Sequence, residues 1–178
     1  MAFPLQAHLR MKTTIDVLAL LTDQHAEVDA LFKAIEDGKG NKAVLFAQLA
    51  DKLAAHATIE EKIFYPGVMA KSTEDKLHES VEEHLQIKRR IDDMLALDPK
   101  ADAAAFDAKL SVLKEDVSHH AHEEEEQKLF PQLRRELSAD TLAGLGNECL
   151  AMFEQLINTS PRRNVPNETA HAAQLPSL

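Results

Sequence analysis

Apolar residues recur every three or four positions along four consecutive stretches of this chain, and that spacing is the period of an α-helix. Short breaks separate the stretches, among them Gly38-Lys39-Gly40, Pro66-Gly67 and Asp98-Pro99. Short connections oblige consecutive helices to pack antiparallel to one another. The predicted fold class is therefore all-α, an up-down-up-down antiparallel four-helix bundle with a short C-terminal accessory helix and a disordered tail.

Residues typical of helix caps predict where three of the helices begin. Thr13, with Asp16 three residues later, has the spacing of a capping box at the start of the first helix. Asp98 and Pro99 have the types preferred at an N-cap and at the first helical position, so they predict the start of the fourth helix. Ser138 likewise predicts the start of the shorter fifth helix.

The chain has 178 residues, a length that suits one well-packed domain. We predict three parts: the bundle over residues 13–137, the accessory helix over 138–158 and the disordered tail over 159–178. Three prolines and scattered polar residues favour disorder in the last part. The oligomeric state stays open, and a monomer is favoured because the single apolar stripe of the accessory helix needs only one partner surface.

The net charge limits the classes of binding partner that the chain can have, and the cysteine content indicates the cellular compartment. The formal net charge is −10, and an acidic surface repels phosphate backbones and anionic lipids. No apolar run approaches the roughly 20 residues that a membrane span requires. We therefore expect neither nucleic acid nor membrane as a partner. Cys149 is the single cysteine, which excludes an internal disulfide and fits a cytoplasmic protein.

Each of the four predicted helices carries one histidine on its apolar stripe. These are His25, His56, His84 and His120. A lone histidine in such a position is usually a core residue with its hydrogen bonds satisfied. Counting about 1.5 Å per residue from the helix ends places all four at comparable depths in the bundle. Four imidazoles at one level predict a common site.

Two segments repeat one pattern, residues 56–66 and residues 120–131. Each begins with histidine, has glutamate four residues later and closes at proline. Residues four apart lie on one face of a helix, so Glu60 accompanies His56 into the core. A buried carboxylate without a compensating charge is unfavourable by several kcal/mol or takes up a proton. Two divalent ions, bridged by two such carboxylates and held by the imidazoles, would satisfy every group.

The glutamate of the second segment is ambiguous between two neighbours. Counting forward from His120 selects Glu124, whereas counting back from Pro131 selects Glu125, because this segment is one residue longer than the first. A local π-bulge would turn Glu125 inward. The shared proline favours Glu125 slightly, and both residues remain candidates.

Alternative sites fit the sequence less well. A ferritin-like di-iron bundle requires glutamate three residues before histidine on two helices, and none of the four histidines has one there. A structural zinc site would favour several cysteines.

Four segments give the chain a resemblance to a known family. Over about residues 13–137 the chain resembles the hemerythrin-like, or HHE cation-binding, family. The segments are residues 21–28 (LTDQHAEV), 56–66 (HATIEEKIFYP), 81–84 (VEEH) and 119–131 (HHAHEEEEQKLFP).

The resemblance implies an up-and-down bundle that holds two non-haem iron ions, in the Fe2+ and Fe3+ states, and binds O2 or related small ligands such as NO or peroxide. Hemerythrin itself has a further histidine one turn before the third-helix ligand, where this chain has Ser80. One iron would then have an open position, which favours sensing or reactivity over reversible oxygen carriage. The metal ligands that the resemblance implies are His25, His56, Glu60, His84, His120 and one of Glu124 or Glu125.

Three functional hypotheses follow. The first is a metal- and ligand-binding protein for sensing, storage or stress protection. The alternative is a di-iron oxidoreductase that reduces peroxide or nitric oxide, or a protein similar to those that repair iron–sulfur clusters. Those repair proteins usually add an N-terminal segment with cysteine, which weakens that version. The third is a metal-free helical interaction protein. Whether the chain is an enzyme stays open, binding is favoured, and no catalytic residue is predicted.

Overall fold

The computed structural model describes residues 15–178, and over that range every regular element is a helix. Helix α1 spans Val17–Glu36. Helix α2 covers residues 42–68 and consists of Lys42–Ile59, a π-helical turn Glu60–Phe64 and Tyr65–Val68. Helix α3 spans Glu74–Leu95. Helix α4 covers residues 103–136 and consists of Ala103–Ser118, a π-helical stretch His119–Leu129 and Phe130–Glu136. Helix α5 (Ala139–Ile157) and a 3-10 helix (Pro161–Glu168) follow.

Helices α1 to α4 form the predicted bundle, whose core consists of two apolar clusters with a polar layer between them. His25 on α1 lies between Leu21, in one cluster, and Val28, in the other. On α3, His84 separates Val81 from Ile87 in the same way. The apolar clusters supply most of the burial that stabilises the bundle, and they hold the intervening polar layer in place.

The helix starts differ from the predictions in detail. Asp16 is the N-cap of α1, because its carboxylate accepts hydrogen bonds from two backbone N–H groups of the first turn. Thr13 lies outside the described residues. The predicted start of α4 at Asp98 is wrong, since the Asp98 carboxylate caps a separate turn and the helix begins at Ala103. Ser138 is confirmed as the N-cap of α5.

The C-terminal residues are ordered, in contrast to the tail predicted over residues 159–178. The 3-10 helix Pro161–Glu168 lies across α2 and α3, with Val165 only 1% exposed. The Arg162 side chain forms an ion pair with Asp51, and its backbone N–H donates to the same carboxylate at 3.0 Å. The composition of this segment is typical of disorder, but Arg162 and Val165 each meet a specific partner in the bundle.

Helix α5 packs closely against the start of α1 at Gly146. A Cβ atom at this position would lie 2.0 Å from the carbonyl oxygen of Ile15.

Among the described residues, no helix is both long and apolar enough to cross a bilayer.

We expect Gly146→Ala to lower the free energy of unfolding by about 1–3 kcal/mol, because the added methyl group forces backbone apart in a packed interface. Gly144→Ala is the matched control on the same helix, since its Cβ would meet nothing within 4 Å. The control should be neutral or stabilising by up to about 1 kcal/mol through helix propensity. Urea unfolding of both variants measures the difference, and equal midpoints would contradict the close approach.

Candidate metal centre

The four stripe histidines converge at one level of the bundle with their Nε2 atoms facing each other. The Nε2 atoms of His25 and His56 are 3.2 Å apart, and those of His84 and His120 are 3.0 Å apart. Each ring pair is edge-on, and all four side chains are buried. Nε2 atoms that face each other at these distances are placed so that the two histidines of each pair could coordinate the same metal ion.

Glu60 lies between the two histidine pairs. Its Oε2 atom is 3.2 Å from Nε2 of His56 and 3.2 Å from Nε2 of His84. The side chain is 0% exposed, and neither carboxylate oxygen has a hydrogen bond of good geometry within residues 15–178. A buried carboxylate in this condition is unfavourable unless a cation is present.

The second inward carboxylate is Glu125. Its Oε2 atom is 3.3 Å from Nε2 of His25 and 3.9 Å from Nε2 of His120. The Tyr65 hydroxyl donates to Oε1 at 3.1 Å. Glu124 instead forms an ion pair with Lys128 and joins neither group of inward donors. The π-helical stretch His119–Leu129 produces this difference, because it holds one more residue per turn than an α-helix would.

The inward donors fall into two groups that share Glu60. Within each group, one donor atom per residue lies within 4.8 Å of the others. Imidazole nitrogen and carboxylate oxygen suit divalent first-row transition metals, so these residues fit a pair of such ions. The groups are His25, His56, Glu60 and Glu125, and then Glu60, His84 and His120.

Tyr65 lies beside the smaller group. Its hydroxyl oxygen is 3.4 Å from Nε2 of His84 and 3.5 Å from Nε2 of His120. Burial and the negative charge of Glu125 raise the pKa of Tyr65 well above 10.0. The phenol therefore keeps its proton in the metal-free protein and acts as a donor to Glu125.

Two of the histidines are strongly basic. Burial by itself lowers the pKa of His84, but the neighbouring carboxylates of Glu60 and Glu61 outweigh that effect and raise it to about 10. For His25 the same balance, with Glu125 as the main partner, gives a pKa of about 9. Burial would raise the pKa of Glu60, but the histidines beside it hold it well below 4.5. In the metal-free protein, imidazolium–carboxylate pairs therefore stabilise the site.

This charge balance predicts how the stability of the metal-free protein depends on pH. A histidine whose pKa rises on folding contributes stability that is complete below its usual pKa of 6.5 and is lost as the pH rises through the folded value. The urea concentration at the midpoint of unfolding of the metal-free protein should therefore decrease as the pH is raised from about 7 to about 10. His84→Gln should flatten this slope, and a flat wild-type profile would contradict the raised pKa values.

The Nδ1 atoms of the four histidines bind acceptors in a closed ring around the bundle. For the histidines of α2, α3 and α4, the acceptor is on the preceding helix of the bundle. For the histidine of α1, the acceptor is on α4. Such partners favour the Nδ1–H tautomer, which would leave the Nε2 lone pair free for a metal ion bound between the histidines. The pairs are His56 with Gln24 at 2.7 Å, His84 with Glu61 at 3.0 Å, His120 with Glu83 at 2.7 Å and His25 with Glu126 at 2.7 Å.

These acceptors and Tyr65 belong to the candidate site but were not predicted from the sequence. A signal for them was present, since each acceptor stands directly next to an inward residue of its own helix. A neighbouring position on a helix is turned by about 100°. It therefore faces the seam with the adjacent helix, where the next histidine lies. The residues are Gln24, Glu61, Glu83 and Glu126.

A small cavity of about 20 Å³ adjoins the histidines on one side of the centre. Its other walls are mainly apolar, including Val28, Leu53, Ile87 and Val117. A cavity of this size holds one water molecule or one diatomic ligand.

Comparison with known proteins agrees with this geometry. The model of the hemerythrin HHE cation-binding domain matches residues 16–133. A DNA nickase from Nostoc sp. is 27% identical over 131 residues, which cover 72% of this chain and 36% of that protein, so the chain spans about a third of that relative's length. No solved structure gives a significant match. The family match covers most of the chain, and the chain therefore belongs to the hemerythrin HHE cation-binding domain family.

Proposed function

We propose that this chain is a non-haem di-iron protein that binds a small ligand such as O2, NO or peroxide, for sensing, storage or stress protection in the cytoplasm, as a monomer. The observation that carries the proposal is the pair of buried donor groups that share Glu60. His25, His56, Glu60 and Glu125 would hold one iron, and Glu60, His84 and His120 would hold the other. Bound iron would supply the redox and ligand-binding chemistry.

The small cavity supports a small ligand. About 20 Å³ beside the four imidazoles leaves no room for an organic substrate without rearrangement. Apart from the histidines and Asp29, its walls are apolar, and they favour diatomic gases over water. The protein residues thus position the histidines, exclude bulk water and restrict access by size.

Reduction of peroxide or nitric oxide by the same centre is the second candidate. One observation favours it: the smaller group has one residue fewer, and the protonated Tyr65 hydroxyl lies 3.4 Å and 3.5 Å from its two histidines. A phenol in this place can hold a proton next to a bound ligand.

We do not extend to this chain the DNA-nicking activity that the name of the Nostoc relative states. The chain carries a formal net charge of −10, and such a charge repels the phosphate backbone.

Metal analysis and spectroscopy test the proposal. Protein loaded with Fe2+ under anaerobic conditions should bind two irons per chain, and oxidation should produce near-ultraviolet charge-transfer bands that shift on addition of azide. Several turnovers with peroxide and an electron donor would favour the oxidoreductase, whereas a stoichiometric reaction would favour binding. Absence of bound metal in the wild-type protein would overturn both versions.

A further inference from the structure

A chain of contacts connects the metal centre to the C-terminal segment. It begins at His84, whose Nδ1 donates to Oε1 of Glu61 at 3.0 Å. Lys88 donates to both oxygens of Glu61, at 2.9 and 2.8 Å, and its Nζ atom is 2.9 Å from Oε2 of Glu168. Lys88 is only 5% exposed. Glu168 therefore acts on the acceptor of a candidate metal ligand through one buried ammonium group.

The segment that supplies Glu168 is anchored on both sides of it. The ion pair of Arg162 with Asp51 fixes it to α2, and Val165 is buried in the core. On the other side, Arg89 of α3 donates to the carbonyl oxygen of Thr169 at 2.9 Å. The family match ends at residue 133, so the segment lies outside the matched range, although its partners Asp51 and Arg89 lie inside it.

Lys88 neutralises the carboxylates of Glu61 and Glu168, so the loss of any one of the three charges leaves the others without full compensation. A buried ammonium group is unfavourable unless its desolvation is compensated, and here two carboxylates share that role. Without Glu168, Lys88 has a single partner, and its buried ammonium group is then more stable if it moves toward solvent. Glu61 would then follow Lys88 or lose its neutralising charge, and either change alters the hydrogen bond that orients His84. A groove of about 280 Å³, bordered by Thr58, Lys62 and His171, adjoins the three charges and offers solvent a route.

We propose that residues 160–175 form a strap that sets the rate at which the metal centre releases its ion, acting through Glu168, Lys88 and Glu61 on His84. Lys88 and Glu168 are positioning residues in this scheme, since neither touches the ions. The inference rests on the proposed function in one respect, namely that His84 binds a metal.

The release of Co2+ to excess EDTA tests the strap, because bound Co2+ has visible absorption bands that report its ligands. Full-length Glu168→Gln should lose Co2+ about 3- to 10-fold faster than the wild type, an effect smaller than the 10–100-fold typical of direct hydrogen-bond partners of ligands. The control is Glu154→Gln on α5, an exposed glutamate that is not a partner of Lys88. It should release Co2+ at the wild-type rate.

Two further measurements separate positioning from general destabilisation. Amide hydrogen exchange of residues 161–170 should accelerate in Glu168→Gln while the core of α1 to α4 stays protected. In the Lys88→Gln/Glu168→Gln double variant, release should be little faster than in Lys88→Gln alone, because both substitutions break one pathway.

The outcomes distinguish this inference from the proposed function. If wild-type protein binds no Co2+ and no iron, the proposed function fails. If it binds Co2+ but Glu168→Gln and Glu154→Gln release it at the same rate, the strap is refuted while the metal centre stands. Additive effects of Lys88→Gln and Glu168→Gln would also refute the connection between these two residues.

Discussion

Replacing Glu60 with glutamine is expected to weaken the binding of both metal ions. Glu60 is the one residue common to the two donor groups, and within residues 15–178 its oxygens have no hydrogen bond of good geometry. The amide keeps the size of the side chain but loses the negative charge that a bridging ligand supplies. We expect the affinity to fall by more than about 100-fold, beyond the range seen when only a partner of a ligand is removed.

Metal stoichiometry and thermal unfolding measure this loss together. At metal concentrations of about 1,000 times the dissociation constant, binding stabilises the wild type by about 4 kcal/mol. For a chain of this size that corresponds to a rise in Tm of about 8–16 °C. If the affinity falls 100-fold, the same metal concentration is about 10 times the dissociation constant of the variant and stabilises it by only about 1.4 kcal/mol. Glu60→Gln should therefore show at most about a third of the rise, although its metal-free form should remain helical by circular dichroism. Wild-type affinity for two ions in this variant would contradict the shared role of Glu60.

The second large effect is expected from a pair of neighbouring glutamates. Glu125→Gln should weaken the binding of one ion, because it removes a carboxylate from the group of His25 and His56 and leaves that group with three donors, as many as the smaller group has. Glu124→Gln is the matched control one residue away, and it removes an ion pair with Lys128 on the outside of α4. The control should retain two ions. The opposite pattern would show that the register of the π-helical stretch is wrong.

That pair also marks a limit of prediction from the sequence. The bundle followed from the 3.6-residue period and short connections, and five of the inward residues followed from stripe positions. Those rules assume a regular α-helix, on which residues 120 and 125 point in directions about 140° apart. The π-helical stretch His119–Leu129 brings them to one side. Sequence spacing alone left Glu124 and Glu125 as alternatives, because nothing local shows where a helix widens.

The ring acceptors and the C-terminal segment were missed for another reason. Gln24 and Glu83 are polar residues beside the stripe, and a periodicity analysis assigns such positions to solvent. Their role depends on which helix lies alongside, which is tertiary information. The order around Val165 likewise depends on a complementary gap between α2 and α3 and on Asp51 as a partner for Arg162. Composition cannot report such matches.

The closed ring of Nδ1 contacts makes the four helices mechanically interdependent. When any one helix rotates or shifts along its axis, its acceptor moves and the imidazole on the next helix loses its orientation. Because α4 supplies the acceptor for the histidine of α1, the same dependence also connects the fourth helix to the first. Mutations that repack one helix from a distance should therefore disturb all four ligands at once. During evolutionary drift, an acceptor and the histidine it orients would have to change together, although they stand on different helices.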